Sequence, residues 1–192
     1  MSAGDGAAAD ESAAGGTVSA RSFINPLAGR RVLAYGLDAL GYLGIAAAMV
    51  PLGVWLYLNA PPTVPQTMAI SAIPPVLAAA WAAWAESRPA GATWGKRRLG
   101  LRVQDGSDAA GSPGFGRAFV RNLAKIAIPW QLGHQVAIGA ASGAFDDGDP
   151  ATIGATIATY LVMFGLAGST LLGRGRGLHD RVAGTRVADA RP

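Results

Sequence analysis

No cysteine occurs among the 192 residues, which excludes disulfides and thiolate metal sites. There are two histidines, His134 and His179, and no His-x-x-x-His pair to hold zinc. Charge is scarce: Asp, Glu, Lys and Arg make up 15% of the chain, against about 25% in an ordinary soluble domain. The first twenty residues lack the basic and apolar regions of a signal peptide. Gly91-x-x-x-Gly95-Lys96-Arg97 lacks the spacing and the Ser/Thr of a phosphate-binding loop. Gly114-Phe115-Gly116 lacks the third glycine of a dinucleotide turn. His179-Asp180 stands alone, and no Ser-His-Asp arrangement is suggested by spacing. The expectation is a protein without enzymatic activity, bound metal or cofactor.

Basic residues are absent from two connections, 59–67 and 145–150, and this locates the rest. The chain has four long apolar stretches, at about 32–58, 68–85, 123–144 and 151–172. Arg21, Arg30 and Arg31 precede the first. Arg88, Lys96, Arg97, Arg98, Arg102, Arg117, Arg121 and Lys125 lie between the second and third, or in the first turn of the third. Arg174, Arg176, Arg181, Arg186 and Arg191 follow the fourth, which accounts for all 16 Lys and Arg. Cytoplasmic loops carry the excess of basic residues. The expected fold is therefore an all-α membrane protein in the plasma membrane. It has four transmembrane helices arranged as two hairpins, and both termini are cytoplasmic. The net charge of +4 follows from this bias, without any need for nucleic acid.

Residues 1–26 read as a disordered cytoplasmic tail, rich in Gly, Ala and Ser with Asp5, Asp10 and Glu11. Residues 27–188 form the membrane domain, and 189–192 a short C-terminal tail. The second span is interrupted by Pro74-Pro75. The two cytoplasmic segments repeat one pattern. Arg97-x-x-Gly100-x-Arg102-Val103-x-Asp105 recurs 84 residues later as Arg181-x-x-Gly184-x-Arg186-Val187-x-Asp189. Residues 99–104 and 185–188 alternate apolar and polar side chains. They are expected to pair as two short strands in a small cytoplasmic layer.

Charged residues inside spans are costly and mark structure or function. Asp38 lies about 9 Å into the first span. It shares a helix face with Arg31, Ala34, Gly41, Ile45 and Ala48, so it points into the bundle. Arg31 is too far along the axis for an intrahelical pair, and Lys96, Arg121 or Lys125 are candidate partners. Asp38 is either a buried ion pair fixing helix register or a proton or cation site. His134 lies about 16 Å into the third span, with Gln131 and Gln135 on or beside its face. It is either a proton relay or an interhelical hydrogen-bonding group. Thr152, Thr156 and Thr159 form a polar stripe on the fourth span.

Three signatures recur around these residues. The first is Gly29-Arg30-Arg31-Val32-Leu33-Ala34-Tyr35-Gly36-Leu37-Asp38. The second is Thr93-Trp94-Gly95-Lys96-Arg97-Arg98-Leu99-Gly100-Leu101-Arg102-Val103. The third is Leu178-His179-Asp180-Arg181-Val182-Ala183-Gly184-Thr185-Arg186-Val187. Together they resemble the RDD family of integral membrane proteins, named for one arginine and two aspartates. The resemblance implies that the named residues are Arg31 (or Arg30), Asp38 and Asp180, with His179 and Arg181 beside the last. It also implies a transport role such as cation/proton exchange. On that reading Asp38 binds the monovalent cation or proton, Arg31 and Lys96 tune it, and the protein is a homodimer. The alternative is a non-transporting scaffold, assembly partner or anionic-lipid-binding component, in which Asp38 and Asp180 are structural ion pairs.

Overall fold

A computed structural model describes residues 24–107, 111–172 and 176–191. The expected N-terminal tail up to residue 23, Arg174 and the final residue lie outside the described residues. The fold is mostly helical, with one small antiparallel sheet. Three helical stretches are long and apolar enough to cross a membrane: Ala28–Asn59, Val64–Glu86 and Pro150–Leu171. Large apolar side chains cover their outsides, Leu40, Val54, Leu161 and Phe164 among them. That is the pattern of helices bathed in lipid rather than water.

Helix α1 (Ala28–Asn59) has 32 residues and is about 48 Å long. Its buried residues Ala28, Arg31, Ala34, Asp38 and Tyr42 recur at helical spacing, and all lie on one face. The second span is split into α2 (Val64–Ser71) and α3 (Ile73–Glu86). Pro74 and Pro75 fall in the first turn of α3, where proline's missing N–H breaks no helical bond. The span begins at Val64 rather than 68, because Pro65 sits in the first turn of α2 and Thr63 caps it through Gln66.

The expected loop between the second and third spans is largely structured. It contains α4 (Trp94–Arg98), β1 (Leu101–Asp105) and α5 (Phe115–Asn122). A π-helical turn, Leu123–Ala127, then leads into α6 (Ile128–Ala141). Pro129 has no N–H for the Lys125 carbonyl and its ring crowds that carbonyl, so the helix widens by one residue there. The 14 residues of α6 cover about 21 Å, short of the roughly 30 Å of bilayer hydrocarbon. Among the described residues, three helical stretches meet the length and apolarity of a span, and α6 by itself does not. Helix α7 (Pro150–Leu171) is capped by Asp149, whose carboxylate accepts from the Thr152 backbone N–H at 2.8 Å. Gly139 of α6 lies against Thr152 with no room for a Cβ. Helix α8 (Leu178–Val182) and β2 (Thr185–Asp189) complete the fold.

The repeat is a structural repeat. Each copy is a five-residue helix, a glycine with positive φ (Gly100 at 61°, Gly184 at 64°) and a strand. The strands pair antiparallel with Val103 opposite Val187, and those residues are equivalent in the two copies. A local two-fold therefore passes through that pair. Observed strands 101–105 and 185–189 lie within a residue or two of those expected. Leu101, Val103 and Val187 pack on Ala34 of α1 in one core cluster. Tyr42, Ala78, Ala82 and Ile126 form a second, deeper in the bundle.

Candidate functional site

Between those two clusters lies a continuous network of buried charges. Asp38 is 1% exposed. The short helix α4 points its N-terminus at it: Gly95 N–H donates to Oδ1 at 2.8 Å and the Thr93 hydroxyl donates to Oδ2 at 2.5 Å. Lys96 Nζ is 3.7 Å from the same Oδ2. Only glycine fits at 95, because a Cβ there would overlap the Ala34 carbonyl oxygen and the Asp38 carboxylate. Lys96 donates to Glu86 at 2.8 Å and to Thr93 Oγ1 at 3.1 Å.

Glu86, the last residue of α3, is the hub. It is completely buried, and both its oxygens accept from Arg121 Nη1, at 2.9 and 3.0 Å. Asn122 Nδ2 donates to it at 2.8 Å, and Lys125 Nζ lies 3.7 Å away. Arg121 Nε continues to Asp180 Oδ1 at 2.7 Å, and Arg31 donates to Asp180 Oδ2 at 2.5 Å. The path Arg31–Asp180–Arg121–Glu86–Lys96–Asp38 thus starts and ends on α1. Each of its members is buried. Burial raises the Asp180 carboxyl, but Arg121 foremost among its neighbours outweighs that and holds it well below the usual carboxylate range. Burial, reinforced by Arg121, pushes His179 down to about 3, so its imidazole is neutral.

The expected residues divide clearly. Arg31, Asp38, Asp180, Lys96, Arg121 and Lys125 are brought together, and the partner of Asp38 is Lys96. Arg30 lies outside the network. It pairs with Asp189 at 2.5 Å and donates to the Leu99 and Gly100 carbonyls. Arg181 is exposed. Gln131 donates to Ser71 Oγ and the Met68 carbonyl, tying α2 to α6. His134 stacks on Trp130 with centroids 5.6 Å apart, and Gln135 is half-buried on the same helix. Glu86, Thr93 and Asn122 were not anticipated. Their signal was faint: Glu86 is the one carboxylate at the end of the second apolar stretch, facing several cations without counter-charge.

A cavity of about 460 Å³ borders the network. Arg31, Lys96, Arg121 and Lys125 supply its charged lining; Ile126, Trp130, Met163 and Leu166 are among its apolar lining. Among the described residues, no carboxylate lines it. Lys125 stands at the centre of the π-helical turn, 5.8 Å from the centroid of the Tyr35 ring. Trp130 Nε1 and His179 Nδ1 are buried without a hydrogen-bond partner, and both residues line this cavity.

Among known proteins, the family model described as RDD family matches residues 25–184. That is most of the chain, with all three signatures wholly or largely inside it, and the chain belongs to this family. No match is found among curated proteins or among solved structures.

Proposed function

We propose that this member of the RDD family is a non-transporting multi-pass component of the plasma membrane. Its charged signature residues act as a lock that fastens the cytoplasmic helix–strand layer to the membrane bundle. The observation that carries the reading is the saturation of Asp38. Both its oxygens accept short bonds from protein donors, and a lysine stands behind them. A carboxylate so engaged must surrender those bonds to take a cation, and each buried donor left unpaired costs about 1–3 kcal/mol. Among the described residues, the adjoining cavity is lined by four cationic side chains and no carboxylate, a field that repels sodium or potassium.

On this reading the π-helical turn and α6 together make the fourth crossing, about 28 Å long. Both termini then face the cytoplasm by the bias of Lys and Arg. The exposed Arg88, Arg97, Arg98, Arg102, Arg117 and Arg181 form a basic cytoplasmic face. Each adds about 1 kcal/mol of attraction to anionic lipid. No catalytic role enters this reading.

The test is reconstitution into liposomes with an imposed pH gradient, followed on addition of sodium, lithium or potassium. No cation-dependent collapse above protein-free liposomes is expected. Collapse by the wild type, lost in a folded Asp38→Asn variant, would establish exchange and overturn the reading.

A further inference from the structure

The cavity beside the network has chemistry that the lock does not use. Its lining includes four cations, while the carboxylates that hold them, Asp38, Glu86 and Asp180, are not part of that lining. Arg31, Lys96 and Arg121 each donate to a carboxylate of the network. Lys125 is the least engaged of the four: the Glu86 carboxylate oxygen it faces is 3.7 Å away. A buried charge so loosely paired is expensive, and a bound anion would reduce that cost. Two buried nitrogens of cavity-lining residues, Trp130 Nε1 (a donor) and His179 Nδ1, also lack a hydrogen-bond partner among the described residues.

The rest of the lining is largely apolar. Two of its residues, Val32 of α1 and Met163 of α7, are each 54% exposed. Both belong to helices long and apolar enough to cross a membrane, where acyl chains rather than bulk water lie outside. A volume of about 460 Å³ is many times the roughly 30 Å³ share of a single water. It is far larger than one small ion requires.

We propose that this cavity binds one anionic phospholipid of the cytoplasmic leaflet, its phosphate on Lys125 and Arg121 and an acyl chain along Trp130, Met163 and Leu166. This rests on the lock reading in one respect: the network is taken as a fixed wall and not as a moving ion path. The site differs from the basic face. The face attracts any anionic surface through exposed arginines and is screened by salt. The cavity holds one lipid in a buried place, so its hold resists salt and detergent washing.

The test uses the full chain purified in detergent, incubated with phosphatidylglycerol or phosphatidylcholine, washed, and examined by native mass spectrometry. One retained phosphatidylglycerol per chain is expected, favoured about tenfold over phosphatidylcholine. Lys125→Gln should lower retention about tenfold. Met163→Trp narrows the apolar arm without touching a charge, and should lower it similarly with an unchanged melting temperature. Met163→Trp keeps the test decisive should Lys125→Gln fail to fold. Arg97→Gln with Arg98→Gln and Arg102→Gln should weaken vesicle flotation at low salt yet keep the retained lipid. Equal retention of the two lipids would overturn the proposal. So would retention lost only in the triple variant, or displacement by millimolar inorganic phosphate, which marks a simple anion site. None of these outcomes bears on cation exchange, so the lock reading stands or falls separately.

Discussion

Lys96 and Asp180 occupy the same place in the two copies of the repeat, 84 residues apart, and carry opposite charges. Each is the third residue of a five-residue helix, and each is buried. From opposite sides they reach one central pair: Lys96 binds Glu86, Asp180 binds Arg121, and Glu86 binds Arg121. The duplicated motif thus supplies a cation on one side and an anion on the other. Both copies also grip α1, the first through Asp38 and the second through Arg31.

The central pair should be strongly coupled. Glu86→Met leaves Arg121 and Lys96 short of counter-charge and is expected to cost about 3–5 kcal/mol. Arg121→Met should cost a similar amount. The double variant should cost less than the sum by about 1–3 kcal/mol, since Lys96 keeps Asp38 and Asp180 keeps Arg31. Denaturant or thermal unfolding of the four proteins in one detergent measures the coupling. Simple additivity would separate the two residues energetically.

Gly95 should tolerate no side chain. A Cβ there collides with the backbone of α1 at Ala34 and with Asp38, and backbone cannot yield as a flexible side chain can. Gly95→Ala is expected to lower the melting temperature by several degrees, about the effect of 1–3 kcal/mol of overpacking. Gly116→Ala is the control, because nothing lies within 4 Å of its added Cβ. It should be neutral or slightly stabilising, since alanine is the better helix former.

His179 should give stability a pH dependence below neutrality. Its pKa is near 3 in the folded protein and 6.5 as a reference. Between those values the unfolded chain binds a proton that the folded chain does not, so stability falls as pH falls. It is full above about 6.5 and declines by up to about 1.4 kcal/mol per pH unit toward 3. Asp180, whose pKa is lowered by folding, adds a second loss only below about 3.8. Melting temperatures from pH 8 to 4 should show the slope in the wild type, and His179→Gln should flatten most of it.

Much of this was legible because membranes make charge expensive. The spans of α1 and α7 follow from apolar runs bounded by basic residues. The paired strands follow from the repeat and its alternating pattern. Asp38 stood out because nothing else in the first span is acidic. Glu86 did not stand out, because it falls where the second apolar run ends and reads as the first residue of a loop. Its partners lie 10, 35 and 39 residues later in the chain, a separation that no periodicity reveals. The π-helical turn was hidden for another reason. One inserted residue leaves the apolar run intact, and Pro129 was its only mark. His134 looked prominent for its depth, yet it stacks on Trp130 and takes no part in the Arg31–Asp38 path.

The most direct test of the lock is hydrogen–deuterium exchange on the strand amides of Gln104 and Arg186, in wild type and in Asp180→Asn; this pair alternates with Val103–Val187 in the ladder and its amides point across the sheet. Asp180 joins Arg31 of the bundle to the helix–strand layer, and the two strands protect each other. The account predicts that β1 and β2 lose protection together, by about tenfold or more, while α3 and α7 stay protected. Unchanged protection of both strands in a variant lacking that charge would contradict it, and the buried network would then not be what holds the layer in place.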